Sequence, residues 1–218
     1  MNKPYEKRSL FPYLFYDFAI VTGVIPGLLF HRPKIRYETP AARKRIRSGA
    51  LLIANHVGLI DPMIMMYTVW YRRHRFICLK ELFETRAGWL LDRFLCIPID
   101  RENFGMNSFR EITAHLKAGH LVSMFPEGHV NEQGGGPMQT LKSGMILMAM
   151  KGGAPIIPMY FKKRKHWYQR IQIMVGEAVD IKKLYGEKPT MKQIEELTRI
   201  LYEKEEMLRC SLEQEEKR

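Results

Sequence analysis

Residues 55–62 read Asn55-His56-Val57-Gly58-Leu59-Ile60-Asp61-Pro62, directly after the apolar run Leu51-Leu52-Ile53-Ala54. That run has the length and composition of a buried strand, so His56 is delivered at a strand's end. Asp61 follows five residues later, where a helix begins. Histidine is the side chain whose ordinary pKa lies nearest neutrality, and it can take a proton from an alcohol. A carboxylate beside it fixes its tautomer and stabilises the imidazolium that forms. The same pair fits a plainer reading, in which Asp61 caps a helix that opens on Pro62 and His56 is structural. The rest of the chain favours the chemical reading.

Phe125-Pro126-Glu127-Gly128-His129 follows a second apolar run, Leu121-Val122-Ser123-Met124. Between the two lies Ile97-Pro98-Ile99-Asp100-Arg101, and beyond them comes Ala154-Pro155-Ile156-Ile157-Pro158. These four blocks, in this order, resemble the glycerolipid acyltransferase family, and more narrowly the bacterial 1-acylglycerol-3-phosphate acyltransferases. The resemblance covers roughly half the chain, from Gly49 to Phe161. It implies transfer of an acyl group from a thioester, on coenzyme A or acyl carrier protein, to the free hydroxyl of a lysophospholipid. No cofactor is implied; the acyl-CoA or acyl carrier protein is a co-substrate. His56 matches the family's base and Asp61 its orienting acid. Glu127 matches the acceptor-binding motif, and Arg101 matches the arginine that holds the acceptor phosphate, a role its planar donor fork suits. One departure stands out. The family continues Phe-Pro-Glu-Gly with Thr-Arg-Ser, whereas this chain has His129-Val130-Asn131. Either Lys142 or the cluster Lys162-Lys163-Arg164-Lys165 replaces the missing arginine, or the acceptor is another lyso-lipid.

The residues themselves point the same way. No Ser or Cys sits in a nucleophile-elbow pattern, which disfavours a covalent acyl-enzyme. A base that activates the acceptor hydroxyl for direct attack on the thioester is enough, because a thiolate leaves readily. Backbone N–H groups in a turn at Gly128 can stabilise the tetrahedral oxyanion, since glycine permits close approach. Methionines at 63, 65, 66, 145, 148 and 150 suit core packing better than an acyl-chain groove.

To position these groups, the chain alternates apolar strands with helical patterns from Ala50 onward. Strands are expected over Ala50–Ala54, Phe76–Leu79, Cys96–Ile99, Leu121–Phe125, Pro155–Phe161 and Ile171–Val175. Helices are expected over Pro62–Tyr71, Gly88–Phe94, Ser108–Lys117 (with Ser108 and Glu111 as a capping box) and Thr140–Met150. A final helix from Thr190 carries Ile194, Leu197, Leu201 and Leu208 on one face, with Glu203, Glu205 and Glu206 elsewhere. The pattern is α/β: a mixed, partly parallel central sheet flanked by helices. In such sheets sites gather at the carboxyl ends of strands, where His56, Arg101 and Glu127 all fall. The chain divides into a membrane-associating helical segment over residues 1–36 and one acyltransferase α/β domain over 37–218.

The formal charge of +12 implies an anionic partner. Within residues 1–50 ten basic residues face three acidic ones, and they bracket the most apolar stretch, Leu10 to Phe30. That pairing favours a phospholipid surface over nucleic acid, for which no recognition motif is present. Pro12, Gly23, Pro26 and Gly27 divide the stretch, Asp17 is costly at mid-bilayer, and basic residues lie on both sides. Two short amphipathic helices in one leaflet, at the cytoplasmic face of the cell membrane, are expected. A transmembrane anchor and a packed apolar arm are the alternatives. Three scattered cysteines (Cys78, Cys96 and Cys210) give neither a disulfide framework nor a zinc spacing, so a reduced setting without metal is expected. A non-catalytic membrane-binding protein would need only the basic residues and the apolar arm, and would leave the co-occurrence of His56, Asp61, Glu127 and Gly128 without a reason.

Overall fold

The computed structural model describes residues 10–100, 105–127, 143–164, 166, 168–186 and 189–216. Its frame is a seven-stranded sheet in the order β1-β7-β6-β2-β5-β3-β4. The strands are β1 (Lys34–Tyr37), β2 (Ala50–Ala54), β3 (His74–Leu79), β4 (Ile97–Ile99), β5 (Leu121–Met124), β6 (Ile156–Lys162) and β7 (Gln172–Val175). All neighbours are parallel except β6 and β7. β2 lies between β5 and β6, and every one of its five residues is buried. Both faces are covered by helices, which is why the strand reads as an unbroken apolar run.

The two faces have separate cores. Leu51 and Ile53 pack with Ile97, Ile112, Leu116, Val122, Ile146, Leu197 and Leu201. That layer contains α6 (Met106–Lys117), α7 (Ser143–Gly152) and α9 (Met191–Glu216). Ala50, Leu52 and Ala54 pack on the other side with Ile64, Met65, Met66, Tyr67, Phe76 and Phe161. That layer is built by α3 (Asp61–Thr68), α5 (Gly88–Arg93) and the N-terminal helix, while α4 (Lys80–Phe83) and α8 (Ile181–Tyr185) are single-turn connections. Met65, Met66, Met145 and Met148 are all core residues, as plain packing requires.

The mixed sheet with flanking helices agrees with the sequence expectation, and β2 has the expected bounds. Strand β1 was not anticipated: its Lys-Ile-Arg-Tyr sequence lies at the sheet edge, where charge is tolerated and the apolar signal is weak. The capping box at Ser108 is not formed. Helix α6 begins at Met106 with Gly105 as a cap that lacks any side-chain bond.

The N-terminal stretch differs more. Instead of two hinged helices it forms one, Leu10–His31, made of α1 (Leu10–Ala19), a π-helical turn (Ile20–Val24) and α2 (Ile25–His31). Pro26 cannot donate to a carbonyl four residues back. The chain widens just before it, and the Ile25 N–H bonds to the Ile20 carbonyl instead. Gly27 is used for close approach: a Cβ there would collide with the Tyr67 hydroxyl. Asp17 is half-exposed and forms a two-bond ion pair with Arg73, at 2.8 and 2.6 Å.

Candidate active site

His56 leaves the carboxyl end of β2 and Glu127 follows the adjacent parallel strand β5, so the sheet brings both to one edge. The His56 Nδ1–H donates to Asp61 Oδ2 at 2.7 Å. The same oxygen accepts from the backbone N–H of Val57 at 2.6 Å and of Gly58 at 2.8 Å. Asp61 is 1% exposed and the His56 side chain 18%, so the acid is sealed while the imidazole still reaches the surface. With Nδ1 committed to the carboxylate, Nε2 is left as the proton acceptor.

Local sequence explains the geometry. Asp61 is not the helix cap: the cap position falls to Ile60, without a side-chain bond, and Asp61 is the first residue of α3. Its carboxylate therefore turns back over the short loop. The loop backbone curls so that the successive N–H groups of Val57 and Gly58 meet one oxygen. The position also places negative charge at a helix N-terminus, where it is favoured. Pro62 in the first turn gives up no needed donor.

Three neighbours were not anticipated from sequence. The Phe125 ring stacks on His56 with 4.4 Å between centroids and an 18° interplanar angle. Asn55 bonds both ways to Phe161, donating from Nδ2 to its carbonyl at 2.9 Å and accepting its N–H at Oδ1 at 2.7 Å. That clamp ties the end of β2 to β6 one residue before the histidine. A third neighbour is Glu205 of α9. Sequence reading places it on the polar face of its helix, but it is 3% exposed. It stands at the i+4 position from Leu201 and precedes Leu208 by three, so it falls on the apolar stripe. That spacing was the signal that could have found it.

Glu127 is 5% exposed at the same edge as His56, rather than a solvated loop carboxylate. Arg101, Gly128 and Lys142 lie outside the described residues, as do His129, Val130 and Asn131. Among the described residues, no cluster of three or more His, Cys, Asp or Glu side chains is arranged to hold a metal ion.

A family profile described as Acyltransferase matches residues 34–162. The chain is 25% identical over 152 residues to a Borreliella burgdorferi protein and 28% identical over 140 residues to one from Streptococcus pneumoniae. Both are named 1-acyl-sn-glycerol-3-phosphate acyltransferase. These alignments take in 63% and 60% of this chain, and 59% and 50% of the two relatives. Among solved structures, the 1-acyl-sn-glycerophosphate acyltransferase PlsC of Thermotoga maritima shares the fold, with a TM-score of 0.61 at 20% identity. The match covers 91% of this chain and 83% of that one. The family profile spans more than half of the sequence, from the edge strand through β6, and encloses both His56 and Glu127: this chain belongs to the acyltransferase family.

Proposed function

We propose that the protein transfers a fatty acyl group from a thioester, acyl-CoA or acyl carrier protein, to the free hydroxyl of 1-acylglycerol-3-phosphate, forming phosphatidic acid. The observation that carries this reading is the His56–Asp61 pair, with one imidazole nitrogen bound to a sealed carboxylate and the ring still accessible. Nε2 takes the hydroxyl proton as the acceptor oxygen attacks the thioester carbonyl. The tetrahedral intermediate then collapses, the C–S bond breaks, and the departing thiolate recovers the proton from the imidazolium. Asp61 holds the ring's tautomer and stabilises its charged form. Phe125 stacking limits ring rotation. By family resemblance Glu127 positions the acceptor and Arg101 binds its phosphate; the turn at Gly128 supplies oxyanion donors, and Lys142 or the cluster Lys162-Lys163-Arg164-Lys165 supplies the cation missing at Val130. The His129-Val130-Asn131 departure favours one second reading, acylation of a different lyso-lipid.

The membrane assignment has its own support. Leu10–His31 is long and apolar enough to cross a bilayer, yet it presents two different sides. Tyr16 and Val24 are buried against the domain, with Tyr13, Ile20 and Leu28 packed beside them. Phe11, Leu14, Phe18, Val21, Ile25 and Leu29 form an exposed row at three- and four-residue spacing. A helix fastened along one side to a folded domain and apolar on the other suits a position in the plane of one leaflet.

Purified protein offered a panel of lysophospholipids with both thioester donors should acylate lysophosphatidate in preference to the rest. Preference for another headgroup would select the second reading, and no turnover on any acceptor would refute acyl transfer. Replacing Leu14 and Phe18 together by Glu should release the protein from anionic vesicles in a flotation assay, with Tm unchanged.

A further inference from the structure

Glu205 is chemically out of place. It is 3% exposed, and among the described residues neither of its carboxyl oxygens has a hydrogen-bond partner. Buried carboxylates are normally paired or bonded, and one that is neither needs a reason. Among the described residues, no cation faces it. Glu127 faces it from the end of β5 and the Asn55 N–H from the end of β2, while Glu206 adjoins it on α9. Tyr160 of β6 is also within electrostatic reach. Arg209, the nearest guanidinium on the helix, is bound to Glu206 and Glu213. Two buried glutamates within electrostatic reach cannot both carry charge cheaply, so such a pair is held at one proton.

We infer that Glu205 is a positioning residue for this site: it stays protonated so that the Glu127–Glu205 pair carries a single negative charge, which resides on Glu127. Burial is the leading cause and Glu127 the second, and together they hold the Glu205 carboxyl well above the usual carboxylate range, against the opposing pull of the Asn55 N–H. The consequence for the site is electrostatic. When Glu205 ionises, a second charge appears beneath the acceptor-binding edge, next to the residue that precedes His56. It repels an anionic acceptor and strains the end of β2. Helix α9 lies beyond the residues matched by the family profile, so this contribution comes from a part of the chain the family match does not reach. The role in acceptor binding rests on the function proposed above; the charge state does not.

The sign follows from proton counts. Between the unfolded glutamate pKa, about 4.3, and its raised folded value, the native state holds the proton that the unfolded state has lost. Stability therefore falls as pH rises through that window. The test is Tm against pH for wild type, Glu205→Gln and Glu127→Gln, together with acceptor KM against pH for wild type and Glu205→Gln. In Glu205→Gln the window should vanish, raising Tm at pH 8 by roughly 2–4 °C or more. In Glu127→Gln its upper end should move to lower pH, because the neighbouring charge is gone. Wild-type acceptor KM should climb on the alkaline side while that of Glu205→Gln does not, with kcat affected less. If Gln disturbs the packing, Glu205→Met offers a second neutral side chain of similar length. Superposed Tm profiles overturn the charge assignment whatever the substrate. An altered Tm profile with the same alkaline rise of KM in both proteins overturns the positioning role. No turnover by wild type on any acceptor would refute the proposed function instead, and the positioning role with it, leaving the Tm profiles to decide the charge state.

Discussion

Two buried acids approach the end of β2 from opposite layers of the sheet, in contrasting surroundings. Asp61, from the α3 layer, accepts three hydrogen bonds at one oxygen, one from an imidazole and two from backbone N–H groups. Glu205, from the α9 layer, has no side-chain donor among the described residues and is faced only by the Asn55 backbone N–H. The same functional group thus serves as a threefold acceptor on one side and a proton holder on the other. Donor supply, rather than residue type or depth of burial, decides which, since the two are 1% and 3% exposed.

The comparison can be broken most severely at the histidine. Replacing His56 by Ala should lower kcat by about 10²–10⁴-fold if Nε2 is the base. Near-normal turnover in a folded variant, measured with saturating thioester, removes the base assignment. Asp61→Asn should act in the same direction with a smaller loss, because an amide orients the ring less firmly. It should also destabilise by about 1–3 kcal/mol, as the Val57 and Gly58 donors lose a charged acceptor. Glu205→Gln should move Tm the opposite way at alkaline pH. If both variants shift Tm alike, the contrast between the two acids is lost.

A smaller effect sharpens the picture on the acid side. His74 is fully buried, with Nδ1 against Ser123 Oγ at 2.9 Å and Nε2 facing the Val69 carbonyl at 3.2 Å. Burial pushes its pKa down to about 4. Between about 6.5, the unfolded value, and 4 the unfolded chain binds the extra proton. Stability from this histidine is therefore complete above that window and lost as pH falls through it. A melting series from pH 7 to 4 should show Tm falling there, opposite in sign to the Glu205 effect. A flat acid limb would contradict it.

Much of this was legible in the residues, and the gaps have physical reasons. β2 declared itself because burial on both faces removes any polar interruption. The His56–Asp61 relation was legible because it is local, five residues across one loop. Its detailed form was not, since an Asp before Pro has the sequence of a cap and only the fold shows it turned toward the loop N–H groups. The Phe125 stack and the Asn55–Phe161 clamp join segments that only the strand order brings together. Glu205 was misplaced because a charged residue invites a solvent-facing assignment even where the heptad-like spacing of its helix says otherwise. The N-terminal helix was split in reading because Gly and Pro are ordinarily breakers, and here a widened turn absorbs them.

That widened turn has a consequence of its own. The residues that the N-terminal helix sets against the domain, Pro12, Tyr16, Ile20, Val24 and Leu28, recur every four positions. On a regular α-helix each such step overshoots a full revolution by about 40°, so the four steps would wind about 160° around the cylinder. A π turn in mid-course takes up an additional residue and resets the phase, keeping the docked row and the lipid-suited row on opposite sides from end to end. Deleting one residue between Ile20 and Val24 would remove the residue that the wide turn absorbs, leaving a regular α-helix with Leu28 still docked and Leu29 still outward.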